Sequence, residues 1–241
     1  MITPKIIKPN NLALVFCSIR PEQLKPSICD YREQEYYQTV QQLERIMPSN
    51  YDMVLVENTI DDPNEIKNPE IREYFSNMEI ISLGSQANAG QRNKGCGELL
   101  MLNEALAELK DELPQYDNIA YVTGRRMWTC PYSFERSAVS EGAVVVQNCH
   151  IYFDGAVRCN DKDNFNDTYF SMKTADMLEY AQYSADRLQE LSDKHISSEV
   201  HLYEFIHEKN VHYEILDWLG IVRNEWERSG KTNDLSNFHI C

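Results

Sequence analysis

The chain has 241 residues, 42% of them hydrophobic and 10% aromatic, with 9 Gly and 9 Pro. That excludes a disordered or low-complexity chain and allows a sizeable core without a disulfide or metal staple. With 38 acidic against 23 basic residues, a formal net charge of −15, the surface repels a phosphate backbone. Nucleic acid is therefore not an expected partner, although a small phosphorylated ligand could still sit in a local basic pocket.

In chain order, Asn11–Ser18 (NLALVFCS) reads as a buried strand. Arg32–Met47 reads as a helix, with Tyr36, Val40, Leu43 and Ile46 at three- and four-residue steps. Tyr51–Asn58 and Met78–Leu83 are the second and third strands. Lys94–Leu113 is a helix with a leucine stripe, stopped by Pro114. Asn118–Thr123 is the fourth strand, and Ala143–Gln147 and His150–Phe153 are further strands. Thr168–Phe170 is a candidate short strand. Helices are expected at Thr174–Leu191, Glu199–Lys209 and Trp218–Ser229. Alternating strands and helices argue for a Rossmann-like α/β/α sandwich with a mostly parallel sheet and a helical C-terminal part. Neither a repeat nor a linker interrupts it, so residues 1–241 read as one domain.

The seven cysteines form no CxxC pair, and Cys17, Cys149 and Cys159 lie in or beside apolar runs. They read as reduced thiols of a cytoplasmic protein. The N-terminal MITPKIIKPNN lacks the apolar stretch of a signal peptide. The apolar runs are strand-length, so no transmembrane segment is expected, which leaves at most a peripheral membrane attachment. His201, His207 and His212 do not match a zinc spacing.

Ligands of open parallel sheets bind beyond the carboxyl ends of the strands. Those ends are Ser18-Ile19-Arg20, Glu57-Asn58-Thr59, Gly84-Ser85-Gln86-Ala87-Asn88 and Thr123-Gly124-Arg125-Arg126. All are polar, and arginine suits phosphate oxygens. Between the third strand and its helix, the segment from Asn88 to Glu98 carries three glycines, Arg92 and Lys94. It matches neither GxGxxG nor a P-loop, but glycines and a helix N-terminus suit an anion. Glu98 in the first turn complements the helix dipole.

Asn93-Lys94-Gly95-x-Gly97-Glu98 heads an amphipathic helix, and a strand ending in Val122-Thr123-Gly124-Arg125-Arg126 follows. These resemble the N-K-G-x-x-E and K-x-S/T-G-R-Y motifs of small glycosyltransferases of capsule and lipopolysaccharide loci. Thr168-Tyr169-Phe170 and Ser198-Glu199, with Leu202-Tyr203, resemble that family's closing motifs. Tyr121 and Arg126 depart from it, standing where lysine and tyrosine are usual. The resemblance spans roughly Leu12–Tyr203. It implies a GT-A-like fold with a nucleotide-binding half to about residue 130 and an acceptor-side half over residues 131–241. The implied reaction moves a sugar from a nucleotide-diphosphate sugar to a glycan or lipid-linked saccharide.

In that reading Ser18, Arg20, Glu57 and Asn58 hold base and ribose. Arg92, Lys94, Gly124, Arg125 and Arg126 serve the diphosphate. The fourth strand ends without the Asp-x-Asp of most GT-A enzymes, so the arginines are expected to replace a divalent metal. Asp161 and Asp163 form the only Asp-x-Asp and read as a solvated loop. A general base for the acceptor falls to Asp154 or Glu199, with Asp167 beside Thr168. The alternatives are a sugar-nucleotide nucleotidyltransferase and a non-catalytic interaction protein of a polysaccharide-assembly system. SIRPEQLKPS, after the first strand, lacks the glycine that a nucleotidyltransferase normally carries there.

Overall fold

A computed structural model describes residues 10–22, 24–83, 94–146, 149–151, 157–159, 164–216, 219–224 and 238–240. Strands β1 (Asn11–Cys17), β2 (Tyr51–Glu57), β3 (Ile80–Ser82) and β4 (Asn118–Thr123) run parallel. They lie in one seven-stranded sheet with β6 (Ala143–Val146), β9 (Tyr169–Lys173) and β10 (Tyr213–Leu216), in the order β10-β6-β9-β4-β1-β2-β3. β9 alone is reversed, antiparallel to both β4 and β6. A smaller sheet joins β5 (Met127–Trp128), β11 (Ile221–Asn224) and β12 (Phe238–Ile240). β7 (Cys149–Ile151) pairs with β8 (Val157–Cys159).

All seven residues of β1 are buried, as expected of a parallel strand covered on both faces. Its side chains alternate between two cores. Leu12, Leu14 and Phe16 face α3 (Lys94–Glu108), α5 (Thr174–Lys194) and α6 (Ser198–Glu208). Ala13, Val15 and Cys17 face α1 (Pro26–Ile46), α2 (Pro69–Ser76) and α4 (Tyr132–Val139). Three layers result.

Helix α1 starts earlier than its apolar stripe, because Pro26 fits the first helical turn. Helix α3 ends at Glu108, and Pro114 sits in a following 3-10 turn over Leu113–Gln115. The expected helix at Trp218–Ser229 is corrected. Ile221–Asn224 is a strand, paired antiparallel with β5 and β12, and residues 217–218 and 225–230 lie outside the described set.

β9 is longer and more central than the candidate strand at Thr168–Phe170. A hydrogen-bond chain holds it to α4. Ser171 Oγ donates to Ser137 Oγ at 2.6 Å, Ser137 Oγ and the Tyr169 hydroxyl are 2.7 Å apart, and that hydroxyl donates to the Ser133 carbonyl at 3.1 Å. Cys17, Cys29, Cys96 and Cys130 are free thiols. Among the described residues no helix is long and apolar enough to cross a membrane.

Candidate active site

The parallel strands β1, β2 and β4 all end at one edge of the sheet. Because β9 is reversed, its first residues arrive at that same edge. A cavity of about 310 Å³ opens there, within the usual size range of ligand pockets. Ser18, Asn58 and Thr59 line it from the ends of β1 and β2. Thr123, Arg125 and Arg126 line it from β4, Asp167 and Thr168 from the start of β9, and Lys94, Gly97 and Glu98 from the first turn of α3. Arg32 and Tyr36 reach in from α1. Four cations, Arg32, Lys94, Arg125 and Arg126, thus meet two anions in one cavity of a chain whose net charge is −15.

Hydrogen bonds set the wall at β1 and β2. Ser18 Oγ donates to Asn58 Oδ1 at 2.7 Å, and the Ser18 amide donates to the Tyr36 hydroxyl at 2.9 Å. Arg32 donates to the Ser18 carbonyl at 3.3 Å. Burial raises the Tyr36 phenol well above its ordinary range, against the nearby Arg125 and Arg32 guanidinium groups.

Gly124 does not line the cavity. Its amide donates to the Phe16 carbonyl at 2.9 Å, and an added Cβ would meet that oxygen at 2.8 Å. The glycine lets the turn after β4 lie directly on β1, which sets where Arg125 stands.

Two expected ribose contacts, Arg20 and Glu57, are turned away from the cavity. Strand parity puts Glu57 with Leu55 on the α1 face of β2. Its carboxylate is buried and accepts from the Ile19 amide at 3.2 and 3.3 Å and from the Thr59 amide at 2.7 Å. Burial pushes its pKa up to about 7 despite those donors. The Arg20 guanidinium pairs with Asp30 at 3.1 Å and with the buried Glu33. Both residues pin the loops after β1 and β2 rather than face a ligand. Glu199 heads α6 but does not line the cavity. Arg92, Asp154, Asp161, Asp163 and the third strand's Gly84–Asn88 lie outside the described residues. Among the described residues no group of three or more His, Cys, Asp or Glu side chains is placed to hold a metal ion.

Arg32, Tyr36 and Thr59 were not singled out as binding residues in the sequence. Arg32 and Tyr36 are four residues apart on the helix that packs beside β1, and that spacing was the available signal. Tyr121, where the resemblance expects lysine, lies in an aromatic stack. Its ring is 4.3 Å from Phe16 and 4.8 Å from Phe170. A neutral tyrosine packs between those rings, where a lysine would bury an ammonium.

No protein-family model matches the sequence, and no curated protein matches it. Among solved structures, 4-diphosphocytidyl-2C-methyl-D-erythritol synthase from Anaerococcus prevotii superposes with a TM-score of 0.52 at 14% identity, covering 86% of each chain. The chain has the fold of that synthase. A protein described as a nucleotide-diphospho-sugar transferase, from Desulfovibrio desulfuricans, gives a TM-score of 0.49 at 10% identity, over 86% of this chain and 79% of that one. The sandwich and mostly parallel sheet expected from the sequence are therefore those of the synthase fold.

Proposed function

We propose that this chain is a glycosyltransferase that moves a sugar from a nucleotide-diphosphate sugar to a hydroxyl of a glycan or lipid-linked saccharide. The observation that carries the reading is the gathering of Arg32, Lys94, Arg125 and Arg126 at the carboxyl edge of the sheet. A cavity with excess positive charge on an acidic protein suits a ligand with two phosphate groups. Ser18, Asn58 and Thr59 would contact base and ribose. Lys94, Arg125 and Arg126 would offset the charge that grows on the leaving diphosphate, a task that fixed cations can perform without a bound metal.

The synthase fold favours a second reading, a nucleotidyltransferase that makes an activated sugar. The two differ in what leaves. Sugar transfer releases a nucleoside diphosphate, whereas nucleotidyl transfer from a nucleoside triphosphate releases pyrophosphate.

Thermal-shift titration with UDP, GDP, CDP and dTDP tests the site. Stabilisation by one of them, followed by release of that diphosphate from its sugar ester, is the expected result. Stabilisation by none at millimolar concentration refutes the proposal. Pyrophosphate release from a nucleoside triphosphate with a sugar phosphate would select the second reading.

A further inference from the structure

Two carboxylates reach the cavity from elements far apart in the chain. Glu98 comes from the first turn of α3, and Asp167 from the residue pair before β9. Ser198, at the start of α6, joins them. Its hydroxyl lies 2.8 Å from Asp167 Oδ2 and 3.3 Å from Glu98 Oε2. Lys94 Nζ stands 2.9 Å from Glu98 Oε1. Behind the pair is a small apolar crevice lined by Leu99, Leu102, Phe170 and Tyr180. In front of it is the cavity with Arg125.

The pair thus faces apolar side chains on one side and the cavity on the other. Charge repulsion between neighbouring carboxylates makes the second ionisation the harder one. Burial first, and then Asp167, push Glu98 up to about 7, with Lys94 opposing. Every element around the pair contributes a polar or titratable group. Lys94 lies on α3 itself, and Tyr121 on β4 with Arg125 in the turn after it. Tyr180 comes from α5, and Ser198 and Glu199 from α6. Burial raises the Tyr121 and Tyr180 phenols far above their ordinary range, so both stay neutral near pH 7. Glu98 holds Lys94 in its charged form.

We propose that Glu98 and Asp167 act as one base, taking up a single proton from the acceptor hydroxyl as that oxygen attacks the anomeric carbon of the donor. This inference rests on the sugar-transfer reading. The acceptor O–H bond breaks and its proton passes to the carboxylate pair. A bond forms between the acceptor oxygen and the anomeric carbon. The bond from that carbon to the diphosphate breaks, and its electron pair leaves with the nucleoside diphosphate. A base matched to neutral pH is what such a transfer needs, and this pair lines the same cavity as the cations. Glu199 does not.

The test combines a titration with kinetics. Carboxyl ¹³C shifts, assigned through the bonds to each backbone, follow Glu98 and Asp167 with pH in wild type, Glu98→Gln and Asp167→Asn. Wild-type Glu98 should titrate near 7 and fall only part of the way towards the ordinary glutamate value of ~4.3 in Asp167→Asn, because burial still raises it. Release of nucleoside diphosphate from the sugar donor should rise with pH and level off above about 7 in wild type. Both variants should lose about 10²–10⁴ in turnover while still binding the nucleoside diphosphate. A wild-type Glu98 that titrates in the ordinary range overturns the proposal even if a variant fails to fold. So does near-normal turnover in both variants. If wild type binds no nucleoside diphosphate, the sugar-transfer reading itself fails. If it binds and turns over while the variants do too, only the role of the pair fails.

Discussion

Replacing Gly124 by alanine probes how the turn after β4 is seated. The new Cβ would lie 2.8 Å from the Phe16 carbonyl oxygen, 2.9 Å from Cys17 Sγ and 3.0 Å from Tyr36 Cε1. Ordinary contacts of a Cβ begin at 3.4 Å, so the turn must retreat by roughly half an ångström. None of the three neighbours can swing aside. One is backbone of β1, and the other two belong to side chains buried in the core. Overpacking of this kind costs about 1–3 kcal/mol. In a chain of this size each kcal/mol lowers Tm by about 2–4 °C, which places Gly124→Ala about 2–12 °C below wild type in calorimetry. The retreat carries Arg125 with it. Misplacement of a positioning group by ~1 Å costs about 10²-fold, so a shift of half that should cost roughly tenfold in turnover. A variant with wild-type Tm and wild-type turnover would refute the argument that close contact between Gly124 and β1 aims the arginine.

Arg20→Ala should leave the buried Glu33 carboxylate without its ion-pair partner, costing about 3 kcal/mol in a urea melt, with nucleoside diphosphate affinity unchanged. A loss of affinity at unchanged stability would return Arg20 to the binding site. Arg125→Ala should lower turnover about 10²–10³-fold with Tm close to wild type, and near-normal rates would count against electrostatic stabilisation by that turn. His201, fully buried with Nε2 3.0 Å from Ser184 Oγ, has its pKa lowered by burial to about 4. The unfolded chain, with its ordinary value of about 6.5, binds the proton more readily, so this site's stability is complete above pH 6.5 and is lost as pH falls towards 4. Urea melts across that range should show up to about 3 kcal/mol of pH dependence in wild type that His201→Gln lacks, and parallel curves would refute it. Turnover should persist in EDTA, and loss by chelation with rescue by manganese would shift the electrostatic role to a metal.

The parts of the fold legible in the sequence are those whose burial is one-dimensional. β1, β2 and β4 are continuous apolar runs, and α1, α3, α5 and α6 carry apolar residues at helical steps. Helix α2 and strand β10 were not legible. α2 is eight residues long, too few to show a period, although Asn68-Pro69 marks its start. The Asn68 side chain accepts from the Glu70 and Ile71 amides there. β10 is half-buried at the sheet edge, so its YEIL pattern is weak.

In the site, Ser18, Asn58, Arg125 and Arg126, named from the strand-end rule, line the cavity. That rule could not say which strand-end side chains turn inward. Glu57 follows the parity of β2, and Arg20 follows the acidic residues of α1, and neither tendency is visible without a partner in space. Glu98 and Asp167 lie far apart in the chain, with β4 and β6 between them. Their meeting depends on β9 running backwards, which no local pattern encodes.

That reversal also bears on how the protein is made. β9 pairs with β4 on one side and with β6 on the other, yet it is synthesised after both. Until it has been made, the inner edges of β4 and β6 have no strand between them, and such edges invite pairing with other chains. Residues up to β4 can form a parallel sheet as they emerge, but the cavity would still lack its Asp167 wall. The late strand must then enter a gap between two strands already made, a non-local step of the kind that slows folding and exposes a nascent chain to aggregation. The cavity is therefore complete only once β9 is in place.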